Sequence, residues 1–207
     1  MITPASQKGK YFVLAPSYWS DGIGPGLVIV NEEKLTRPGM YTMDPPNGDP
    51  LQYSERPCLV HVPEEGGVPR EFEELAGIWI ISEPLKRVFE SVDPEAFVFT
   101  ACDYTQADGS SGRQYYLCNV VRSLDALDRE ASRVKTKHNR NFITGEDEIF
   151  YSVLGGASLV FREASVGEAH VFRQTQMAID PVCDRVMYEA LCAANLDGVE
   201  LRDAAEL

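Results

Sequence analysis

The stretch from Phe97 to Asp128 limits what this chain can fold into more than any other. Phe97, Val98, Phe99 and Tyr104 lie on one side of a turn; Tyr115, Tyr116, Leu117, Val120 and Val121 lie on the other. β-branched and aromatic side chains on both flanks suit a pleated, half-buried surface. Between them, Ala107-Asp108-Gly109-Ser110-Ser111-Gly112 is rich in residues that tolerate positive φ or bond their own backbone. The pattern predicts a long antiparallel hairpin. It is scaffold without chemistry of its own.

Just before it, Ile78-Trp79-Ile80-Ile81 predicts a strand. Ser82 follows as a helix N-cap, acidic Glu83 sits in the first turn, and Pro84 is tolerated there because its missing N–H has no intrahelical partner. Leu85, Val88, Phe89 and Val92 then form one apolar stripe, which Asp93-Pro94 ends. The C-terminal part repeats this plan. Val171-Phe172-Arg173 and Met177-Ala178-Ile179 lead to Asp180 as N-cap and Pro181 at the first helical position. Cys183, Val186, Met187, Ala190, Leu191 and Ala194 make the stripe, Asn195-Leu196-Asp197-Gly198 the stop, and Val199-Glu200-Leu201 a last strand. Tyr11-Phe12-Val13-Leu14 and Leu27-Val28-Ile29-Val30 add two short strands near the start. The expected fold class is α+β: a single domain over 1–207, with a mixed, largely antiparallel sheet and two capped helices packed on it. Within it, 1–76 is rich in strand and loop, while 77–207 carries the strand–helix–hairpin core and the C-terminal strand–helix–strand.

Residues 37–70 form a long irregular segment. Seven of the 13 prolines fall there, and proline suits neither helix interiors nor central strands. Only Cys58-Leu59-Val60-His61-Val62 reads as a strand, placed at an edge. Connections this long are uncommon in a compact domain unless functional or mobile. This one is acidic: Asp44, Asp49, Glu55, Glu64 and Glu65 continue into Glu71, Glu73 and Glu74. These eight are the candidate partner-binding residues, read against the plainer alternative of a solvated face.

Other constellations carry less. Gly22-Ile23-Gly24-Pro25-Gly26 superficially resembles a dinucleotide loop, but Pro25 and a β-branched run follow it where a helix is required, so a cofactor reading is rejected. Arg129, Arg133, Lys135, Lys137 and Arg140 crowd together before Glu146, Asp147 and Glu148 reverse the sign. With no aromatic interleaving, this predicts a solvated, flexible excursion and not an RNA site. Phe150-Tyr151-Ser152-Val153-Leu154 and Ser158-Leu159-Val160-Phe161, separated by Gly155-Gly156, suggest a second hairpin or short element. Asp103 and Asp108 read as turn residues, Asp125 and Asp128 as loop-ordering ones. Cys58, Cys102, Cys118, Cys183 and Cys192 are an odd set without close pairs, and read as reduced core or helix residues. A Cys118–His170 nucleophile pair stays open but is disfavoured, because a buried strand thiol is inert. His61 and His138 have no ligand spacing around them. No metal, cofactor or catalytic residue is assigned.

A formal net charge of -13 disfavours nucleic acid and anionic membrane as partners, since both are held by clustered Lys and Arg. A basic protein partner fits, because complementary potentials steer encounter, read against the plainer alternative that the charge serves solubility alone. The start, MITPASQKGKYFVLAPS, has no continuous apolar run, and no stretch reaches transmembrane length. Cytoplasmic residence is the expectation.

Several of these stretches together are similar to the immunity proteins of bacterial polymorphic-toxin systems, in the group numbered family eleven and formerly a domain of unknown function. They are Tyr11-Phe12-Val13-Leu14, the capped unit from Trp79 to Val92, the run from Tyr115 through Cys118 and Asn119 to Asp128, His170-Val171-Phe172-Arg173, and the last helix into Gly198-Val199-Glu200-Leu201. The run from Tyr115 is the most specific. The resemblance implies a cytoplasmic antidote without catalytic activity. Its partner would be a cognate toxin, often a nuclease delivered by contact-dependent or type VI secretion, and the nuclease's basic surface would meet the acidic segment. Three alternatives remain open: a small-molecule or peptide-binding module, an enzyme without a legible motif, or the effector itself.

Overall fold

The computed structural model describes residues 7–20, 22–140, 145 and 147–207. The first elements in chain order are β1 (Tyr11–Pro16), β2 (Leu27–Ile29), α1 (Glu32–Leu35), β3 (Cys58–His61), β4 (Phe72–Leu75), β5 (Ile78–Ser82) and α2 (Glu83–Val92). A 3-10 turn at Pro94–Ala96 leads into β6 (Phe97–Thr105), β7 (Tyr115–Val120), β8 (Ser123–Leu124), β9 (Lys135–Arg140) and β10 (Asp147–Ser152). Then come α3 (Glu163–Val166), β11 (Val171–Gln174), β12 (Val182–Asp184), α4 (Arg185–Ala194) and β13 (Val199–Asp203). They make one α+β domain with mixed, mostly antiparallel sheets, as the hydrophobic pattern predicts. Its contacts gather into two units. A central unit comprises Pro16–Val121 and Ala190–Glu200, and a terminal unit comprises Met1–Ala15, Arg122–Glu189 and Leu201–Leu207.

The central unit is built around the hairpin. β6 and β7 pair antiparallel from Phe97 opposite Val120 to Cys102 opposite Tyr115. At the tip, Asp108 Oδ1 accepts from Ser110 N at 2.9 Å and Ser110 Oγ at 2.6 Å, the local turn that Asp-Gly-Ser chemistry favours. β5 joins β7, giving a six-stranded sheet ordered β2-β3-β6-β7-β5-β4. Ile78, Ile80, Tyr115 and Leu117 bury one face of it together with Leu27 and Leu59. α2 begins where expected: Ser82 Oγ accepts from Leu85 N at 3.4 Å, and Leu85 and Phe89 are buried.

Two readings of this region change. β3 is not an edge strand; it lies between β2 and parallel β6. Pro57 and Pro63 flank the strand without interrupting it, so both of its ladders can form. β4 was hidden in the sequence because Glu73 and Glu74 break its apolar signal, although Phe72 is fully buried. The 37–70 segment remains irregular but is pinned: Met43 is in the core, Tyr53 Oη donates to the Asp44 carbonyl at 2.7 Å, and Asn119 Nδ2 donates to the Pro46 carbonyl at 2.9 Å.

The glycines rejected as a cofactor loop have a packing role. Gly26 N donates to the Gly67 carbonyl at 2.9 Å and Gly67 N to the Gly24 carbonyl at 3.1 Å. A Cβ on Gly66 would lie 2.4 Å from the Gly24 carbonyl oxygen and 2.6 Å from Gly26 N. Backbone cannot swing aside as a flexible side chain can. Gly66→Ala is therefore expected to cost about 1–3 kcal/mol by overpacking, read as a lower urea midpoint; an unchanged midpoint would show that the crossing yields freely.

The terminal unit's sheet runs β13-β1-β12-β11-β8. Its core gathers Tyr11, Val13, Leu127, Leu159, Phe161, Phe172 and Val182. The second helix starts later than predicted. Asp184, not Asp180, caps α4, its Oδ1 accepting from Val186 N at 3.0 Å and Met187 N at 3.1 Å. Val182 and Cys183 are taken instead by ladders to β1 and β11 on either side, which pair their backbone N–H and C=O groups. The basic stretch is also no loose excursion. β9 pairs with β10 from Lys135 opposite Ser152 to Arg140 opposite Asp147, setting cations beside carboxylates at the register's end. Phe150 and Tyr151 thus pair backward, while Ser158 and Phe161 make only single bridges to Arg133 and Leu127. Glu146, which was grouped with the sign reversal, lies outside the described residues. Asp128 orders its loop as expected, accepting from Glu130 N and Ala131 N at 3.1 Å.

Candidate partner-binding surface

The negative charge is confined to one unit. Assigning the sequence to the two units gives the central one 19 acidic and 7 basic residues, net -12, and the terminal one 13 acidic and 12 basic, net -1. All eight candidate residues fall in the central unit. A field of this kind attracts a cationic partner to one part of the molecule.

The eight do not form one patch, and their environments differ. Glu73 is internal, 1% exposed: Oε1 accepts from Arg70 N at 2.8 Å and Nε at 3.0 Å, and Oε2 from Arg70 Nη2 at 2.9 Å and Trp19 Nε1 at 3.0 Å. Glu71 is ion-paired with Arg113, with its second oxygen buried and without a partner among the described residues. Asp44 pairs with Arg37. Glu55 accepts from Asn31 Nδ2 at 2.7 Å and Lys34 Nζ at 3.2 Å, bonds that hold its carboxyl below the usual glutamate range. Asp49 is a turn residue, bonding Leu51 N at 2.8 Å. Glu64 and Glu65 stand exposed in a turn, with no ion pair among the described residues, and Glu74 is exposed on β4 opposite Trp79. The exposed members are Asp49, Glu55, Glu64, Glu65 and Glu74.

A cleft lies at α1 and the turn after it, lined by Glu32, Glu33, Arg37, Pro38, Met40 and Tyr41. Leu35 before it and Met43 after it are buried in the central core, which anchors the rim on both sides. Asn31 ties α1 to the strand below, its Oδ1 accepting from Cys58 N at 2.9 Å. Glu32 and Glu33 have no side-chain ion pair or hydrogen bond among the described residues. Arg37 is neutralised by Asp44. Tyr41 is fully exposed at 101% and Met40 is half exposed. The signal available in the sequence was an aromatic in a turn-forming stretch, Gly39-Met40-Tyr41, soon after two adjacent glutamates.

The other candidate chemistry stays inert or unassembled. Cys118 is buried, and burial pushes the Cys102 thiol up to about 12. His170 Nδ1 lies 2.8 Å from Asp184 Oδ2 in the terminal unit. Among the described residues no three His, Cys, Asp or Glu side chains come together as a metal site, and no helix is long and apolar enough to cross a membrane.

Compared with models of protein families, residues 10–206 match the one described as an immunity protein family, Imm11. No curated protein matches the chain.

Proposed function

We propose, since this chain belongs to the Imm11 immunity protein family, that it protects its producing cell by binding a cognate toxin directly and covering the toxin's working surface without catalysis. Membership in the family implies an immunity protein acting against a toxin. The observation that carries the mechanism is the confinement of net charge -12 to the central unit. A toxin that cleaves nucleic acid must hold phosphates with Lys and Arg. An acidic protein surface can take the place of the phosphate backbone there, so a nuclease is the toxin class proposed, and the cytoplasm, where such a toxin acts, the place of action.

The test of the reading is growth of a bacterium expressing the product of the adjacent reading frame, with and without this protein. Rescue, with co-elution of the two purified proteins, supports neutralisation by binding. A neighbour that kills regardless, or that rescue reaches without any complex, would sink it. Charge reversal then probes the electrostatics. Glu64→Lys with Glu65→Lys is expected to slow association several-fold and flatten its salt dependence while leaving dissociation unchanged, because exposed charges act mainly on the on-rate. An unchanged association rate would remove these two residues from the steering surface.

A further inference from the structure

We infer that the cleft at Glu32, Glu33, Met40 and Tyr41 is where the toxin's basic segment seats, resting on the proposal that the protein binds a toxin at all. Three observations converge on this one place. First, it offers two carboxylates with no internal partner among the described residues, while the one cation of its lining, Arg37, is already paired with Asp44. The cleft is therefore acidic toward anything entering it. Second, Tyr41 presents its whole ring to solvent at 101% exposure, with Met40 beside it at 50%. A tyrosine loses little side-chain entropy on docking, and its ring face attracts guanidinium and ammonium groups. Neither side chain belongs to the central core, which takes Leu35 and Met43 from the same stretch. Third, the cleft is held in shape before any partner arrives. Thr36 N donates to the Glu32 carbonyl at 2.9 Å, Met40 N donates to the Arg37 carbonyl at 3.0 Å, and Leu35 and Met43 anchor its ends. A rim fixed in this way loses less freedom on binding than a loose loop would.

The partner this fits is an arginine- or lysine-bearing segment of a protein, with one cationic head over the Tyr41 ring and a neighbour reaching Glu32 or Glu33. Free nucleic acid is repelled by the same carboxylates. The division of labour follows from the geometry. Exposed acids elsewhere in the central unit, Glu64 and Glu65 among them, set the encounter rate, and the cleft sets residence time.

The experiment is surface-immobilised binding of the purified product of the adjacent reading frame, once it is shown to be toxic, to the full-length protein and its variants, at several salt concentrations. Tyr41→Ala is expected to raise the dissociation rate at least about tenfold with little change in association. Glu32→Gln with Glu33→Gln is expected to weaken binding and reduce its salt dependence, and Tyr41→Phe to retain most of the affinity, since the ring carries the contact. An unchanged circular dichroism spectrum and melting temperature for Tyr41→Ala, whose side chain has no interior contact, separates docking from folding. Wild-type binding with all variants within twofold of it would overturn the cleft while leaving the toxin-binding reading intact. No complex with the wild-type protein would overturn both. A dimer of this chain dissolved by Tyr41→Ala, with toxin binding unaffected, would assign the cleft to self-association and also overturn the proposal.

Discussion

Replacing Arg70 with alanine is expected to cost about 3–5 kcal/mol of stability, because it strands a buried carboxylate. Glu73 has almost no solvent contact and takes four hydrogen bonds, two from the Arg70 guanidinium and the others from the Arg70 backbone and the Trp19 indole. Truncation removes the two charge-assisted bonds and leaves an ionised group facing only neutral donors. It also frees Ser17, whose carbonyl and hydroxyl accept from Arg70 Nη2 at 2.7 Å and Nη1 at 2.9 Å, and it uncovers the Trp19 ring, which the guanidinium overlies at 4.4 Å. Urea unfolding followed by tryptophan fluorescence would report both the midpoint and the change around Trp19. The decisive comparison is the double variant Arg70→Ala, Glu73→Leu. With the second charge gone, a good part of the loss should return, because most of the penalty belongs to the orphaned carboxylate and not to the missing contact. A double variant as unstable as the sum of its parts would show that Arg70 acts through packing alone.

That pair also shows where sequence reading reaches and where it stops. In the sequence Glu73 is indistinguishable from Glu64 and Glu65, because a carboxylate's type and position say nothing about whether a cation waits across the fold. The Trp19–Arg70–Glu73 cluster exists only once Ser17 and Trp19 are brought to residues far along the chain. Local signals fared better. Ser82-Glu83-Pro84 caps α2 as its chemistry demands, and the Gly-Ser-rich tip closes the hairpin, because a cap or a turn is decided within a few residues. Asp184 capping α4 in place of Asp180 is the intermediate case. The sequence reading places the cap at Asp180 alone, and the sheet pairing of Val182 and Cys183 moves it four residues on, to Asp184. The basic stretch turned into β9 for the same reason: its partner strand was legible only as an apolar run, with nothing to say it would pair backward.

The candidate surface was legible in sign and not in place. The total charge pointed to a cationic partner, but its confinement to one unit could not be seen, because that unit is assembled from two separated stretches of chain. Within it the acids divide by partner. Asp44 and Glu55 hold neighbouring segments together, Glu71 and Glu73 are internal ion-pair members, and Glu64 and Glu65 stand exposed in a turn. A charge already matched inside the protein contributes little to a partner, since its field is largely cancelled at a distance comparable with the screening length of about 8–10 Å.

Phe89→Ala should rival Arg70→Ala in cost, at about 3–5 kcal/mol, but by a different mechanism. Phe89 is fully buried on α2, stacked on Phe97 at 4.3 Å and edge-on to Phe72 at 6.4 Å. Those partners come from the hairpin's first strand and from β4, so one ring joins the helix to two strands of the same sheet. Removing it leaves a void between the Phe97 and Phe72 rings, on strands held in place by their ladders, which places the loss toward the top of its range. Phe89→Leu should recover most of the stability by restoring volume. The two large-effect variants then separate what stability and binding each require. Phe89 has no exposed atom to offer a partner, so whatever fraction of Phe89→Ala remains folded should bind the toxin with unchanged dissociation. Arg70 lies in the segment that carries Glu64 and Glu65, and Arg70→Ala should in addition slow association by loosening where those carboxylates sit. Equal association rates for the folded fractions of both variants would mean that the steering charges do not need a fixed position.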